Sequence, residues 1–303
     1  MNLIETHDLS KRYGKRFVVD KVNMHIPEGS IYGFVGENGS GKTTIMRLIT
    51  GLAEPTRGSF TLCGVDNKSM EIYNVRKKMS AIVETTTLIP TMTAKDNMIY
   101  QEQFLGIKLT DEERNRLLKL VHLDAVGNKK AKDFSLGMRQ RLGIALSLMN
   151  KPEIMLLDEP MNGLDPQGIA DLRDLLIELN IKQHITVIIS SHILSELEKI
   201  ASVYGFISHG KLIEELTVEE LQEKCRKSLT INVDKVEGID KVLKTLKIKD
   251  YKVFPNGDVK IYDEADIGGI VSKIHDKGVK ILAINSSDES VEEYYLNLIK
   301  EGK

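Results

Sequence analysis

The sequence of 303 residues contains no tryptophan, 7 prolines and only two cysteines, Cys63 and Cys225. Two distant cysteines are too few for a disulfide framework or for a zinc site. No apolar run approaches the roughly 18 residues that a membrane-spanning helix requires, and the first residues lack the apolar core of a signal peptide. We therefore expect a cytoplasmic protein whose association with any membrane depends on a partner.

An excess of charge of one sign is also lacking, because 42 Lys and Arg residues face 44 Asp and Glu residues, for a net charge of −2. A balanced chain has no general electrostatic affinity for DNA or for an anionic membrane, although a local patch could still touch either. We expect no nucleic-acid partner. The hydrophobic fraction of 41% and the charged fraction of 28% exclude a disordered, collagen-like or purely coiled-coil chain.

The chain length suggests about two domains. Residues 1–215 alternate short apolar runs with helical patterns, which predicts an α/β domain with a buried, largely parallel sheet. Within it, spacings near 3.6 predict a helical subdomain at about residues 85–150. Residues 216–303 show the order β-α-β-β-α-β-α, with Asn256-Gly257 as a hairpin turn, and predict a small α+β, ferredoxin-like domain.

The segment from Gly36 to Thr43 fits the phosphate-loop pattern G-x-x-x-x-G-K-[ST], and it lies between a predicted strand and a predicted helix. Glycines let successive N–H groups turn toward phosphate oxygens, and the helix N-terminus adds partial positive charge. Lys42 is expected to bridge the β- and γ-phosphates, and the Thr43 hydroxyl to bind Mg²⁺. The predicted nucleotide-binding residues here are Gly36, Glu37, Asn38, Gly39, Ser40, Gly41, Lys42, Thr43 and Thr44.

A second strand, at residues 154–157, ends in two carboxylates, Asp158 and Glu159. The carboxyl ends of parallel strands are where such sheets bind ligands. We expect Asp158 to orient Mg²⁺, directly or through water, and Glu159 to act as the general base that polarises an attacking water. Alone, these acids could be a solvated strand end. Together with the phosphate loop they indicate a nucleoside triphosphatase.

Further segments in a fixed order resemble the ATP-binding cassette (ABC) ATPases over residues 1 to about 215. Phe134-Ser135-Leu136-Gly137-Met138-Arg139-Gln140-Arg141 resembles the LSGGQ signature, and it precedes the Asp158-Glu159 strand by about twenty residues. Asn162-Gly163-Leu164-Asp165-Pro166 resembles the D-loop, and Ser190-Ser191-His192 resembles the segment of the switch histidine. The resemblance implies a P-loop cassette with a mixed sheet core, a helical subdomain and an N-terminal antiparallel β part.

The resemblance also implies that ATP with Mg²⁺ is bound between two cassettes, each nucleotide between the phosphate loop of one and the signature of the other. Ser135 and Gly137 would then contact the γ-phosphate, although an ordinary helix cap is the alternative for Ser135. Tyr13 lies where the family stacks an aromatic ring on adenine. His192 would contact the γ-phosphate, and Asp165 would connect the two sites of a homodimer.

Two departures from the family pattern occur. In the signature, Leu136 replaces a glycine and Met138 replaces the glutamine. At the end of the run Ser80-Ala81-Ile82-Val83-Glu84, Glu84 stands where most members carry a glutamine that senses Mg²⁺ and contacts the membrane partner. A carboxylate is also a hard oxygen ligand, so Glu84 is predicted to join Thr43 and Asp158 at the metal. A glutamate here resembles the bacterial branch that protects against lantibiotics and bacitracin-type peptides.

The resulting expectation is the ATP-hydrolysing subunit of an ABC transporter. It would lie on the inner face of the cell membrane through a separate permease and power export of a peptide antibiotic or related amphipathic compound. Residues 85–97 would shape the groove for the permease. The alternatives are a soluble ABC ATPase, for example of the iron-sulfur cluster assembly type, and an inactive regulatory cassette, which the presence of Lys42, Glu159 and His192 disfavours. The role of the second domain stays open.

Overall fold

The computed structural model describes residues 1–84, 87–226, 228–263, 266–287 and 290–301. These residues form two compact units, Met1–Val218 and Glu219–Glu301. In the described ranges, no helix is both long enough and apolar enough to cross a membrane.

The strands and helices of the first unit are, in chain order, β1 (Asn2–Tyr13), β2 (Arg16–Val22), β3 (His25–Pro27), β4 (Ile31–Val35), α1 (Lys42–Thr50), β5 (Arg57–Leu62), β6 (Val65–Asp66), α2 (Ile72–Arg76), β7 (Met79–Ile82), α3 (Ala94–Leu105), α4 (Asp111–Leu120), α5 (Leu136–Leu148), β8 (Ile154–Asp158), α6 (Pro166–Gln183), β9 (Thr186–Ser191), α7 (Leu194–Leu197), β10 (Val203–Ser208) and β11 (Lys211–Thr217). Two short 3-10 turns, Asp124–Val126 and Ala131–Asp133, lie between α4 and α5.

Two sheets organise this unit. The first is antiparallel, with the order β2-β1-β5-β6 and with β3 paired to β1. The second has the order β11-β10-β4-β9-β8-β7, in which β11 is the antiparallel edge strand and the other pairings are parallel. The predicted mixed sheet and antiparallel N-terminal part are therefore confirmed.

The central sheet is buried because its middle strands are mostly apolar, with their polar residues at the strand ends. Every residue of β4, β8, β9 and β10 is buried, as expected for strands that are covered on both faces. Both sheets pack against α1, which contributes Ile45, Met46, Leu48 and Ile49 to their common core. The carboxyl ends of β4, β8 and β9 thus meet at one edge, where the chain leaves the core for loops.

A single carboxylate links the two sheets. Glu215 on β11 accepts hydrogen bonds from the Tyr32 hydroxyl on β4 at 2.7 Å and from the backbone N–H of His25 on β3 at 2.9 Å. Burial, together with this carboxylate, raises the pKa of Tyr32 well above its usual value. The bonds of Glu215 to Tyr32 and His25 therefore add a polar link between the antiparallel sheet and the central sheet.

The helices α3 and α4 lie in the predicted helical subdomain and begin at capping boxes. The Thr93 side chain caps α3 with Asp96, and Thr110 caps α4 with Glu113. Each box satisfies N–H groups that a helix start leaves without partners. A bidentate ion pair then joins the two helices, because Arg114 on α4 donates to both carboxylate oxygens of Glu102 on α3, at 2.5 and 2.7 Å.

The second unit begins within α8 (Val218–Lys224), and its further elements are β12 (Ser228–Val233), α9 (Ile239–Thr245), β13 (Tyr251–Val253), β14 (Asp258–Ile261), α10 (Ile267–Asp276), β15 (Ile281–Ser287) and α11 (Val291–Glu301). Its sheet is antiparallel, with the order β13-β14-β12-β15. The apolar residues of one sheet face pack against α9 and α10, and this core includes Ile231, Val259, Leu243 and Ile270.

Candidate functional site

The glycines of the phosphate loop are required by their surroundings. β4 ends at Val35, and α1 begins at Lys42. A Cβ atom at Gly36 would lie 2.5 Å from the Ser40 hydroxyl oxygen and 2.6 Å from the Ile207 carbonyl oxygen. Gly41 has a φ of +115°, which side chains rarely adopt. The loop therefore turns tightly, so that its backbone rather than its side chains lines the start of α1.

Lys42 is buried and is held by the loop that precedes it. Its ammonium group donates to the Gly36 carbonyl oxygen at 2.6 Å and to the Glu37 carbonyl oxygen at 3.2 Å. It also lies 3.2 Å from the Glu159 Oε1 oxygen. The Lys42 ammonium thus lies between two backbone carbonyl groups of the loop and the carboxylate of Glu159, which follows β8.

At this position the buried Ser40 hydroxyl has no hydrogen-bond partner among the described residues, whereas Glu159 Oε1 has the Lys42 ammonium as an ionic partner at 3.2 Å. A buried hydroxyl without a partner is costly and rare in native proteins. A phosphate oxygen accepts hydrogen bonds from a hydroxyl, from an ammonium and from backbone N–H groups. The glycine-lined loop, Ser40 and Lys42 therefore fit a bound phosphate chain.

The Asp158 carboxylate accepts hydrogen bonds from two hydroxyl groups. The Thr43 hydroxyl donates to Asp158 Oδ2 at 2.7 Å, and the Ser190 hydroxyl donates to Asp158 Oδ1 at 2.6 Å. Ser190 lies in the segment that resembles that of the switch histidine, but the sequence pattern assigns no role to this side chain. The signal is positional, because Ser190 on β9 stands opposite Asp158 on β8 in the parallel register.

Glu159 follows the strand with its backbone turned to a left-handed φ of 48°. This conformation is uncommon outside glycine and occurs often at functional sites. Its N–H donates to the Ser190 hydroxyl at 2.9 Å, and its Oε2 oxygen lies 2.8 Å from His192 Nδ1. Glu159 therefore has one carboxylate oxygen toward Lys42 and the other toward His192.

The oxygens of Thr43 and Asp158 form the part of the site that could bind a divalent metal. In the described ranges, no three His, Cys, Asp or Glu residues form a ready metal cluster. Mg²⁺ in phosphate-binding enzymes usually takes only one or two protein ligands and completes its shell with phosphates and waters. A hydroxyl next to a carboxylate matches that requirement.

Glu84 is not brought to this pair. The sequence predicts a strand through Glu84, but β7 ends at Ile82, and Glu84 has a left-handed φ of 70°. Its carboxylate instead accepts a hydrogen bond from the Arg47 guanidinium on α1. This bond raises the pKa of Arg47. The sequence analysis did not single out Arg47, since its partner lies 37 positions away.

Tyr13 ends β1 with its ring half exposed. The Lys11 ammonium lies 5.2 Å from the ring centroid, within the range of a cation–π contact. The Tyr13 hydroxyl is also close enough to Arg47 to contribute to the raised pKa of that guanidinium. Tyr13 is thus exposed on the surface near α1, where it is available to a planar ligand.

The signature residues form a separate region. The Ser135 hydroxyl accepts a hydrogen bond from the Met138 N–H at 3.2 Å and caps α5. Asp165 caps α6 by accepting from the Gly168 N–H at 3.0 Å. Within the described chain, no hydrogen bond or ion pair joins Ser135, Gly137 or Asp165 to Lys42 or Thr43.

The signature and the predicted D-loop pack against each other. A Cβ atom at Gly163 would lie 2.9 Å from Leu136 Cδ2, and one at Gly137 would lie 3.6 Å from the Leu164 side chain. Leu136 stands where the family pattern has glycine, and its side chain is 42% exposed. The substituted residue thus covers the D-loop on one side and meets solvent on the other.

Comparison with known proteins agrees with this geometry. The family model described as "ABC transporter" matches residues 19–162. The bacitracin transport ATP-binding protein BcrA of Enterococcus faecalis is 38% identical over 302 residues, which are 99% of this chain and 97% of that protein. The lantibiotic transport ATP-binding protein SrtF of Streptococcus pyogenes is 43% identical over 213 residues, 70% of this chain and 90% of that protein.

A solved structure gives the same fold for the first unit. The dimeric post-hydrolysis state of the ATP-binding cassette MJ0796, bound to ADP and Pi, superposes with a TM-score of 0.64 at 26% identity. The match covers 71% of this chain and 98% of that one. The similarity to BcrA, by contrast, extends over both units.

Proposed function

This chain belongs to the ABC transporter ATP-binding proteins and hydrolyses ATP, and we propose that it powers export of a peptide antibiotic or a related amphipathic compound through a separate permease. The observation that carries the cargo class is the identity of 38% to BcrA, which spans 97% of that bacitracin transport protein. Export of this kind would protect the source cell against the peptide.

For the hydrolytic site we propose the following roles. The phosphate loop and Lys42 hold the β- and γ-phosphates, and the Ser40 hydroxyl without a partner supports this role. Thr43 and Asp158 hold Mg²⁺, which would neutralise phosphate charge. Glu159 takes the proton of the attacking water, and His192, 2.8 Å from its other oxygen, fixes the carboxylate. Glu84, which accepts a hydrogen bond from Arg47, would join Thr43 and Asp158 at the metal.

We also propose a composite site in a homodimer. A helix N-terminus binds anions well, and among the described residues the Ser135 hydroxyl accepts a bond from the Met138 N–H and donates none, so its own hydrogen is available to a γ-phosphate of the partner cassette. Tyr13 would stack on adenine, while Asp165 would link the two sites. The solved cassette that is dimeric with ADP and Pi supports this arrangement.

The permease is proposed to dock beside β7. A pocket of about 300 Å³ there is lined by Ala81 and Ile82 of β7, by Gln101 and Leu105 of α3 and by Leu146 of α5. Because Ile82 lines the pocket and ends β7, movement of a docked helix would reach the end of that strand, two residues before Glu84. Of the predicted groove residues, 85 and 86 lie outside the described part of the chain. Docking there would keep the protein on the inner face of the membrane.

The domain division remains part of the proposal. We assign residues 1–215 to the cassette, with a helical subdomain at about 85–150, and residues 216–303 to an accessory domain. The strand order β13-β14-β12-β15, with α9 and α10 on one sheet face, supports a ferredoxin-like domain.

The proposal is tested with tagged Glu159→Gln, which should bind ATP yet hydrolyse it very slowly. We expect a polytopic membrane protein to co-purify with it in ATP and Mg²⁺ from detergent-solubilised membranes of the source cell, and less to co-purify with Lys42→Ala. Recovery of soluble partners alone would reject the transporter assignment.

The cargo is tested separately by deleting the gene and measuring growth inhibition by bacitracin and by a lantibiotic. We expect sensitivity that wild type restores and Glu159→Gln does not. Unchanged sensitivity to both peptides, with a permease still recovered, would reject the cargo class while leaving the ATPase role intact.

A further inference from the structure

One face of the C-terminal sheet carries a pocket of about 330 Å³ that the hydrolytic site does not explain. It lies wholly within the unit Glu219–Glu301. Four cationic side chains and two aromatic rings line it: Lys224, Arg226, Lys252, Lys260, Tyr262 and Tyr294. We name it the sheet-face pocket. The chain as a whole has a net charge of −2, so a cluster of four cations is a local feature of this pocket.

Two of these cations are placed directly against each other. Lys252 on β13 and Lys260 on β14 are register partners in the antiparallel pair. Side chains opposite each other in such a pair are neighbours on one face, and like charges there are destabilising. The fold accepts this cost between the edge strand β13 and its neighbour β14, where a neutral residue would avoid it.

The two lysines differ in their partners. Lys252 Nζ lies 3.2 Å from the Glu223 carboxylate, which also lines the pocket. Lys260 is half-buried, and no described residue forms a hydrogen bond or an ion pair with its side chain. A half-buried ammonium without a partner, next to a second ammonium, favours an anion from outside the chain.

Aromatic rings hold the other cations at the pocket wall. The Arg226 guanidinium lies 4.8 Å and the Lys252 ammonium 5.5 Å from the Tyr262 ring centroid. Lys224 Nζ lies 5.5 Å from the Tyr294 ring centroid and 3.0 Å from its hydroxyl. Cations that contact rings keep N–H groups available for a further acceptor.

The surrounding acids do not cancel this charge. Glu223 contacts Lys252 and Arg226, and Asp250 contacts Arg226. Asp263 is also near Arg226, but the N–H groups of Lys249 and Asp250 are the main reason that its pKa is lowered. These three acids lie beside Arg226 and Lys252, and none of them pairs with Lys260.

We propose that the sheet-face pocket binds a phosphate-bearing ligand, with Lys260 as the central contact and with Arg226 and Lys252 on either side. The Arg226 fork and the lysine ammonium groups supply charge-assisted hydrogen bonds to phosphate oxygens. The Tyr262 and Tyr294 rings supply flat surfaces for the body of the ligand. The phosphate could belong to a small soluble compound or to a lipid headgroup, and the chemistry of recognition is the same.

The test uses the full-length chain with Lys42→Ala, which removes the main cation of the phosphate loop. Calorimetric titration with pyrophosphate and with AMP measures the soluble source. Sedimentation with phosphatidylglycerol vesicles, against phosphatidylcholine vesicles, measures the lipid source. We expect saturable binding to at least one of these probes that Lys260→Ala weakens by about tenfold or more, since a hydrogen bond to a charged group is lost, and that weakens as salt rises.

Two further variants separate a ligand contact from a structural effect. Lys260→Arg keeps the charge and should retain most of the binding, whereas Lys244→Ala removes an exposed lysine on α9 and should change nothing. Because Lys260→Ala relieves the repulsion from Lys252, it should not lower the Tm.

Binding to AMP or pyrophosphate alone assigns a soluble ligand, and binding to anionic vesicles alone assigns a lipid headgroup. Absence of binding to every probe would overturn the proposal. Equal loss of binding in Lys244→Ala and Lys260→Ala would overturn it as well, because the effect would then be one of overall charge.

Discussion

The phosphate loop and the signature segment each present the start of a helix, but their polar side chains are used differently. At α1, Lys42 and Thr43 contact Glu159 and Asp158, which follow more than a hundred positions later in the chain. At α5, within the part of the chain that the structure describes, the Ser135 hydroxyl bonds only to the backbone of its own helix. This chain therefore supplies the partners of the polar side chains at the phosphate loop. At the signature segment, the Ser135 hydroxyl can still donate a hydrogen bond to a group on another molecule.

The largest effect is expected at Glu159, which contacts Lys42 of the phosphate loop. Glu159→Gln should lower kcat for ATP hydrolysis by about 10²–10⁴-fold, because a general base contributes that much. ATP affinity, measured by fluorescence titration, should change little, since Lys42 keeps its bonds to the Gly36 and Glu37 carbonyl oxygens. The exposed Glu112→Gln on α4 is the matched control. A kcat of Glu159→Gln equal to that of the wild type would show that Glu159 is not the general base.

The next largest effect tests the helices beside the signature. Glu102 is buried against Arg114, and this partner holds the pKa of Glu102 below its usual value. Glu102→Gln should lower the free energy of unfolding by about 3 kcal/mol at pH 7, because the partly buried Arg114 loses its two bonds to this carboxylate and keeps the exposed Asp111 as its charged partner. Urea unfolding followed by circular dichroism measures this change.

The pH dependence follows from the direction of that shift. A lowered folded-state pKa gives stability that is fully present above the unfolded pKa of about 4.3 and is lost as pH falls through the folded value. The difference between wild type and Glu102→Gln should therefore shrink below about pH 4. A difference that is constant from pH 7 to pH 3 would contradict the role of the ion pair.

A smaller effect is expected from the Ser190 hydroxyl, which joins the Asp158 carboxylate to the backbone N–H of Glu159. Ser190→Ala leaves Asp158 Oδ1 and the Glu159 N–H without their partner, in a side chain position that is fully buried. We expect a loss of about 1–3 kcal/mol in stability and about a tenfold fall in kcat. Ser191→Ala, whose hydroxyl serves the Ile193 N–H, is the neighbouring control. Equal effects of both changes on kcat would deny Ser190 a positioning role.

The smallest effect is expected at Ser135 in the signature segment. Ser135→Ala should cost about 1 kcal/mol through loss of the cap of α5, and Ser135→Asp should restore that stability. ATP binding by dilute monomers should be normal in both variants, while ATPase activity should stay low in both, because neither side chain has a hydrogen to donate to a phosphate oxygen. Full activity of Ser135→Asp, measured at a protein concentration that supports dimers, would reduce Ser135 to a helix cap.

The sequence predicts the parts of the site that are local. Glycines 36 and 41, Lys42 and the strand before Asp158 are recognisable because strand, turn and helix follow one another without a gap. The cap by Ser135 is local as well. These features depend on backbone conformation and periodicity over a few residues, which a pattern records.

The contacts across the sheet could not be obtained in that way. The role of Ser190 depends on the register between β8 and β9, and the pairing of Glu84 with Arg47 depends on how the chain turns after β7. The predicted strand through Glu84 was wrong by two residues, because Val83 and Glu84 leave the ladder and Glu84 adopts a left-handed backbone. Register and turn are set by tertiary packing.

The position of β4 in the central sheet has a consequence for the synthesis of the chain. Its two neighbours are β9 and β10, at residues 186–191 and 203–208, whereas β4 itself ends at Val35. During translation, both edges of β4 stay unpaired until most of the first unit has emerged, and such long-range pairing is slow and exposed to aggregation. The nucleotide loop therefore matures last, although it is among the first segments made.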